Sequence, residues 1–232
     1  MSIKYSQFCP ISKAAEIIGE RWTLLILREL LLGSTRYNEL QRGLSQISPT
    51  LLTKRLAQLQ EYGLITKKNT SDQKRYEYFL TPSGRELGPV IMNLGEWGMK
   101  WARGQMTDDE LDVELLMTEF KRRSDPEQMP GGRNIIKFHY PELDLFPVWW
   151  IIFEEDGTRE LCVNNPGKEV DLTIRSDLRT MTEIWAGDIS VNEARKSGRL
   201  TLIGNPVLSR TLSAWLGTAI LSHIRPHAEA LS

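Results

Sequence analysis

The sequence predicts an α+β protein in two parts. Three observations carry that expectation: amphipathic helical patterns and one short hairpin fill the first hundred or so residues, strand-like segments cluster after residue 133, and further helices follow those strands. A length of 232 residues suits one or two domains, and 41% hydrophobic with 25% charged residues is a globular composition, which excludes a disordered or collagen-like chain.

The first segment, 10–19, places Ile11, Ala14, Ala15 and Ile18 on one apolar helical face and ends at Gly19. Residues 22–32 are apolar nearly all round and predict the buried helix of a small bundle, stopped by Gly33. Tyr37, Leu40 and Leu44 mark a short third helix whose outer surface carries Arg36, Asn38 and Arg42. The stretch 47–63 has both helix ends written in it: Ser48 as N-cap, Pro49 at the first turn and Gly63 just past the end. Within it Leu52, Leu56 and Leu59, helped by Leu51, face a core and leave Thr50, Thr53, Lys54 and Gln58 outward. Segments 64–68 and 75–80 are β-rich and flank the polar stretch 69–74, a hairpin with a charged tip. Thr81 and Pro82 repeat the cap-and-proline signal and predict one long helix through Trp101, bent by Pro89 and glycines.

Behind this, 108–123 reads as an amphipathic helix with Leu111, Leu115, Leu116 and Phe120 inward, followed by the Pro/Gly-rich stretch 125–133. Strands are expected at 135–140, 148–153, 160–163, 170–174 and 200–203, with a turn at Glu155, Asp156 and Gly157. Helices are expected at 177–185, 191–197 and, last, 206–221. The implied division is 1–104, a connector at 105–132, and 133–232.

The formal net charge of −1 hides an asymmetry. Residues 1–104 carry 15 Lys and Arg against 9 Asp and Glu, whereas the remainder carries 14 against 21. The excess of the first part gathers between Arg36 and Arg75, with eight basic residues against three acidic ones. A capped helix followed by a basic hairpin suits the major groove and flanking phosphates of a duplex.

The ordered pieces CPISKAAEIIGERWTLLILREL, STRYNELQRGLSQISPTLLTKRLAQLQEYGLI and RYEYFLTPSGREL resemble the HxlR family of winged-helix regulators over about residues 8–102. The resemblance implies a homodimeric transcription factor that binds double-stranded DNA, with the first and last helices of this part at the dimer contact. Carried over by position, the 48–62 helix is the recognition helix and 67–75 the wing. Thr50, Thr53 and Lys54 are then expected at base edges, and Arg36, Ser48, Lys67, Lys68, Lys74 and Arg75 at DNA with them. Arg55 has two readings, a phosphate contact or a pairing with a carboxylate such as Glu61. Four wing phosphate contacts per chain would give a dimer a salt slope near −7.

The segment VDLTIRSDLRTMTEIWAGDISVNEARKSGRLTLIGNPVLSRTLSAWL is similar to sterol-carrier-protein-2-like domains over roughly residues 133–218. That resemblance implies a sheet under helices around an apolar cavity, a place for a hydrophobic small-molecule effector. Trp149, Trp185 and Trp215, with Trp150, either line such a pocket or fill it.

Cys9, in the Cys-Pro start, is a structural residue or, as in some members of the family it resembles, an oxidant sensor. Lys4 and Lys13 nearby would lower its thiol pKa. His223 and His227 have metal-ligand spacing, but Pro226 stands between them and no His-Glu-x-x-His pattern exists, so no metal or other cofactor is expected. No nucleophile elbow or phosphate loop is present, and an enzyme is not expected. The start has no long apolar run and the longest, Val148–Phe153, is six residues against roughly 20 for a membrane span, so the expectation is a cytoplasmic protein. The rival reading is a lipid carrier whose first part docks a partner.

Overall fold

Residues 4–70, 75–103 and 107–227 are described by the structure, a computed structural model. The chain divides into two units, Met1–Trp97 and Gly98–Ser232.

In the first unit the helices are α1 (Pro10–Ile18), α2 (Thr23–Leu31), α3 (Tyr37–Gly43) and α4 (Pro49–Glu61). An antiparallel hairpin of β1 (Ile65–Asn69) and β2 (Tyr76–Leu80) follows, in register Lys67 to Tyr78 and Asn69 to Tyr76. Ile26, Leu27 and Leu30 of α2, Leu40 of α3 and Leu52, Leu56 and Leu59 of α4 close one core with Ile65 and Tyr78 of the hairpin. α4 begins and ends where its sequence marks it. The Ser48 hydroxyl accepts the Leu51 N–H at 3.3 Å, and Gly63 just beyond takes φ +68°. A bridge between Arg36 and Glu77, with the Tyr78 N–H donating to the Thr35 carbonyl, ties the start of α3 to the hairpin.

The helix expected from Pro82 to Trp101 is two. α5 (Pro82–Glu86) stops at Leu87, and α6 (Gly88–Trp101) starts again where Pro89 cannot donate to a continuing ladder. α5 presses on the residue that leads into β1: a Cβ at Gly84 would sit 2.1 Å from the Leu64 carbonyl oxygen. α1 also departs from the expected single apolar face, since Ile17 and Ile18 pack on the core while Ile11 is 79% exposed.

The second unit is a five-stranded mixed sheet. β3 (Asn134–His139), β4 (Val148–Phe153), β5 (Arg159–Cys162), β6 (Leu172–Ser176) and β7 (Leu200–Gly204) lie in the order β5-β4-β3-β6-β7, with β3 and β6 parallel and the other pairs antiparallel. Helices α7 (Val113–Arg123), α8 (Leu178–Ala186), α9 (Val191–Lys196), α10 (Pro206–Arg210) and α11 (Leu212–Trp215) all feed one core on one face of the sheet, with Ile136, Phe138, Ile151, Phe153, Leu172 and Ile174 facing them. On the other face Ile135, Trp150 and Ile152 are buried with Val170 packed on them, because the 163–171 connection must cross β4 and β3 to reach β6.

Three expectations are corrected here. α7 begins only at Val113, after the Asp112 side chain caps Leu115 N–H, and Asp108–Glu110 is a separate 3-10 turn. The last helix is broken at Thr211: the Leu208 carbonyl accepts from the Trp215 indole at 3.1 Å, and the chain turns out through Gly217 at φ +74°. The strand expected at 170–174 is shifted to Leu172–Ser176, because Asp171 is used to receive the Ile135 N–H. Among the described residues no helix is long and apolar enough to cross a membrane.

Candidate nucleic-acid interface

α3, the turn 44–48 and α4 form a helix-turn-helix. Tyr37 of α3 donates its hydroxyl to the Pro49 carbonyl at 2.9 Å, locking the start of α4 against α3. Helical geometry then puts Thr50, Thr53 and Lys54 on the side opposite Leu52, Leu56 and Leu59, and all three are exposed. Thr53 also donates to the Pro49 carbonyl at 2.9 Å, so its hydroxyl proton is engaged within α4.

The hairpin holds its cations on aromatic rings. Lys67 Nζ stands 3.7 Å from the ring centre of Tyr76, and Lys68 Nζ stands 5.3 Å from that of Phe79. This fixes ammonium groups that would otherwise wander on flexible stems. Arg75 is exposed where the hairpin strands close, the Thr70 N–H donating to the Arg75 carbonyl and the Arg75 N–H to the Thr70 hydroxyl oxygen. Lys74 lies outside the described residues. Between α3 and β2 runs an open groove of about 670 Å³ lined by Arg36, Arg42 and Arg75, by Tyr37 and Tyr76, and by one carboxylate, Glu39. That carboxylate is already occupied by the Thr35 and Arg36 N–H groups. Arg36 is partly neutralised by Glu77 at 3.3 Å, while its side chain stays 57% exposed. The groove adds Arg42 and Tyr76 to the residues read from sequence. Arg42 had the signal, an outward arginine in the basic run, whereas Tyr76 is placed only by the hairpin register.

Arg55 is not on this surface. Its side chain is buried, donating from Nε to the Arg21 carbonyl at 3.0 Å and from one terminal nitrogen to Glu20 at 2.7 Å. A carboxylate partner exists, but it is Glu20 rather than Glu61. The arginine sits next to Leu56 on the inward flank of α4 and meets the turn arriving from α1.

Cys9 stands at the N-cap of α1, and its thiol pKa is lowered by the backbone N–H groups of Ser12 and Ile11 rather than by lysines. Lys13 is turned to Glu16 at 3.2 Å. In the second unit the three tryptophans do not converge. Trp149 is anchored through its indole N–H to the Phe146 carbonyl at the start of β4, whereas Trp215 meets Phe153 edge to face at the other end of that strand. Trp215 has no exposed surface and its N–H is used, so it fills the core instead of lining a pocket. Trp185 is half-buried on the same core with its enclosed N–H lacking a hydrogen-bond partner. His227 stacks on Trp101 at 4.4 Å, and among the described residues no group of three His, Cys, Asp or Glu could hold a metal ion.

Residues 17–106 match the HxlR-like helix-turn-helix family. YvaP of Bacillus subtilis, an HTH-type transcriptional regulator, is 34% identical over 98 residues, which is 41% of this chain and 91% of YvaP. A Synechocystis HTH-type regulator is 36% identical across 40% of this chain and 70% of its own length. An HTH-type regulator of Mycobacterium bovis is 46% identical over 89 residues, 38% of this chain, and the chain spans only 56% of that relative's length. The shared family pattern and the helix-turn-helix with its basic groove coincide on the same residues, and the chain belongs to the HxlR-like helix-turn-helix family.

Proposed function

We propose that the protein is a cytoplasmic, non-catalytic transcriptional regulator that binds double-stranded DNA sequence-specifically as a homodimer. The observation that carries this reading is the outward face of α4, Thr50, Thr53 and Lys54, bordered by a groove of three arginines and by ring-held wing lysines. Ser48, Arg36, Arg42, Lys67, Lys68, Lys74 and Arg75 serve phosphates, and the three α4 residues serve bases. The dimer is supported by two uncovered helices: neither α1 nor α6 has a buried residue, and Ile11, Val90, Leu94 and Trp97 are exposed.

The test is selection of duplexes from a random-sequence pool by the purified chain, followed by Lys54→Ala. The selected sites should be pseudo-palindromic, with half-sites about one helical turn apart. Lys54→Ala should lose about 1–3 kcal/mol on the selected duplex and far less on random duplex. Equal losses on both would remove Lys54 from base reading, and a wild type with no preference would favour the carrier reading.

For the second unit, we infer the division at 105–132 and a sterol-carrier-protein-2-like domain at 133–232. The sheet with all its helices on one face supports that reading. Its effector would be a hydrophobic molecule with a hydrogen-bond acceptor for the Trp185 indole, entering by displacing packed side chains. Cys9, with its lowered thiol pKa, is the residue through which an oxidant would act. Cys9→Ser should abolish any oxidant effect on DNA binding.

A further inference from the structure

We propose that Arg55 is a positioning residue: with Glu20 it clamps the recognition helix α4 to the turn between α1 and α2, and so sets the angle at which α4 is presented by the dimer. The inference rests on the reading of α4 as the base-reading helix and of α1 as a dimer helix. It concerns a residue that itself touches no DNA.

All three directions of the guanidinium fork are committed. Nε donates to the Arg21 carbonyl at 3.0 Å, one terminal nitrogen to Glu20 Oε2 at 2.7 Å, and the other to Gln58 Oε1 at 2.7 Å. Two of those acceptors belong to the turn and the third to α4 itself, so the arginine is braced on its own helix while it grips another. The turn it grips is a strained one. Trp22, the N-cap of α2, takes φ +78°, a left-handed conformation that is costly for a bulky residue and persists only where its surroundings hold it. Arg55 holds the carbonyl immediately before that residue, and Arg21 lies over the Trp22 ring at 5.3 Å.

The location explains what such a clamp would do. Glu20 follows Gly19, the C-cap of α1, whose far end carries the exposed Ile11. A rotation of α1 against its partner copy therefore reaches Glu20 two residues past the helix end. From Glu20 it passes through an ion pair whose arginine is buried and whose carboxylate is half-buried, the Arg55 and Glu20 side chains being 10% and 27% exposed, to the middle of α4. An apolar contact would permit sliding. A planar fork with three fixed acceptors resists it, and opening it would leave a buried charge uncompensated. Half-site spacing on DNA depends on the separation and tilt of the two α4 helices, so the clamp should be read out in spacing preference more than in bare affinity.

Two variants test this, Glu20→Gln, which keeps shape, and Arg55→Lys, which keeps charge but loses the fork. Each is measured for binding to the duplex that the wild type selects from a random pool, to the same duplex with one or two base pairs added or removed between half-sites, and to random duplex. Melting and sedimentation are recorded beside them. The expected result is about a tenfold loss on the selected duplex relative to random duplex, a flattened spacing preference and an unchanged salt slope, with the dimer intact. Equal losses on selected and random duplex, with the salt slope reduced by about one, would overturn the proposal by placing Arg55 on a phosphate. A lowered melting temperature with the spacing preference intact would overturn it as well, leaving a purely structural pair. Should Arg55→Lys fail to fold, Glu20→Gln decides, since its more exposed side chain is the milder change. A wild type that selects no duplex overturns the DNA-binding reading, and the clamp with it.

Discussion

α1 and α8 are both nine-residue amphipathic helices, yet they end in opposite situations. α8 buries Leu178, Met181 and Ile184 in the core over the five-stranded sheet, and its Asp177 cap and Gly187 stop close both ends. α1 buries nothing fully, and α6 is the same over fourteen residues. The same amphipathic writing is thus satisfied within the second unit and left open in the first. The difference teaches that the second unit buries its apolar helix faces in its own core, whereas the first leaves the apolar surface of α1 and α6 outside its core.

The sharpest way to break this comparison is Trp215→Ala. Trp215 is wholly enclosed, and its removal should destabilise the second unit by about 3–5 kcal/mol while leaving DNA binding by the first unchanged. Denaturation followed beside duplex binding checks it, and loss of both together would show that the units are not energetically separate. A smaller effect is expected from Trp97→Lys on α6, where the side chain is 57% exposed. Protomer stability should move by no more than about 0.5 kcal/mol. Dimer dissociation, read by sedimentation, should rise by about 30-fold or more if Trp97 is buried at a seam. An unaltered dimer would move the contact elsewhere.

The smallest effect is one of pH. His139 on β3 has its pKa lowered by burial first, then by Arg175 opposite it on β6 and by Lys137. A histidine whose folded pKa lies below the unfolded value of about 6.5 contributes stability above that pH and loses it as the pH falls. Melting of the second unit should therefore decline on acidification below about pH 6.5, and His139→Gln should flatten that part of the profile. An unchanged profile would assign the acid sensitivity to other groups.

Much of the first unit was legible because its signals are local. Ser48, Pro49 and Gly63 bound α4 within a few residues of where they act, and the leucine spacing chose its faces. Arg55 was not legible in the same way. Its direction depends on Glu20 and Arg21, more than thirty positions earlier, whereas its neighbour in sequence is the outward Lys54. Tyr76 and the Arg36 to Glu77 bridge were hidden for a related reason, since cross-strand register decides them. In the second unit the strands were readable one by one, but their order was not. The break between α10 and α11 turns on one indole N–H capturing a carbonyl, an event no hydrophobic period reports.

The order β5-β4-β3-β6-β7 also has a kinetic meaning. The β1–β2 hairpin of the first unit joins strands that neighbour each other in sequence, so its pairing can form soon after they are made. The central pair of the second unit sets Ile136 beside Leu172, and the chain must first build β4 and β5 and then cross back over the sheet. During synthesis from the N-terminus the helix-turn-helix is accordingly complete while β3 still awaits its parallel neighbour. The unit with the open apolar helices is thus finished before the one that buries its own helices has closed.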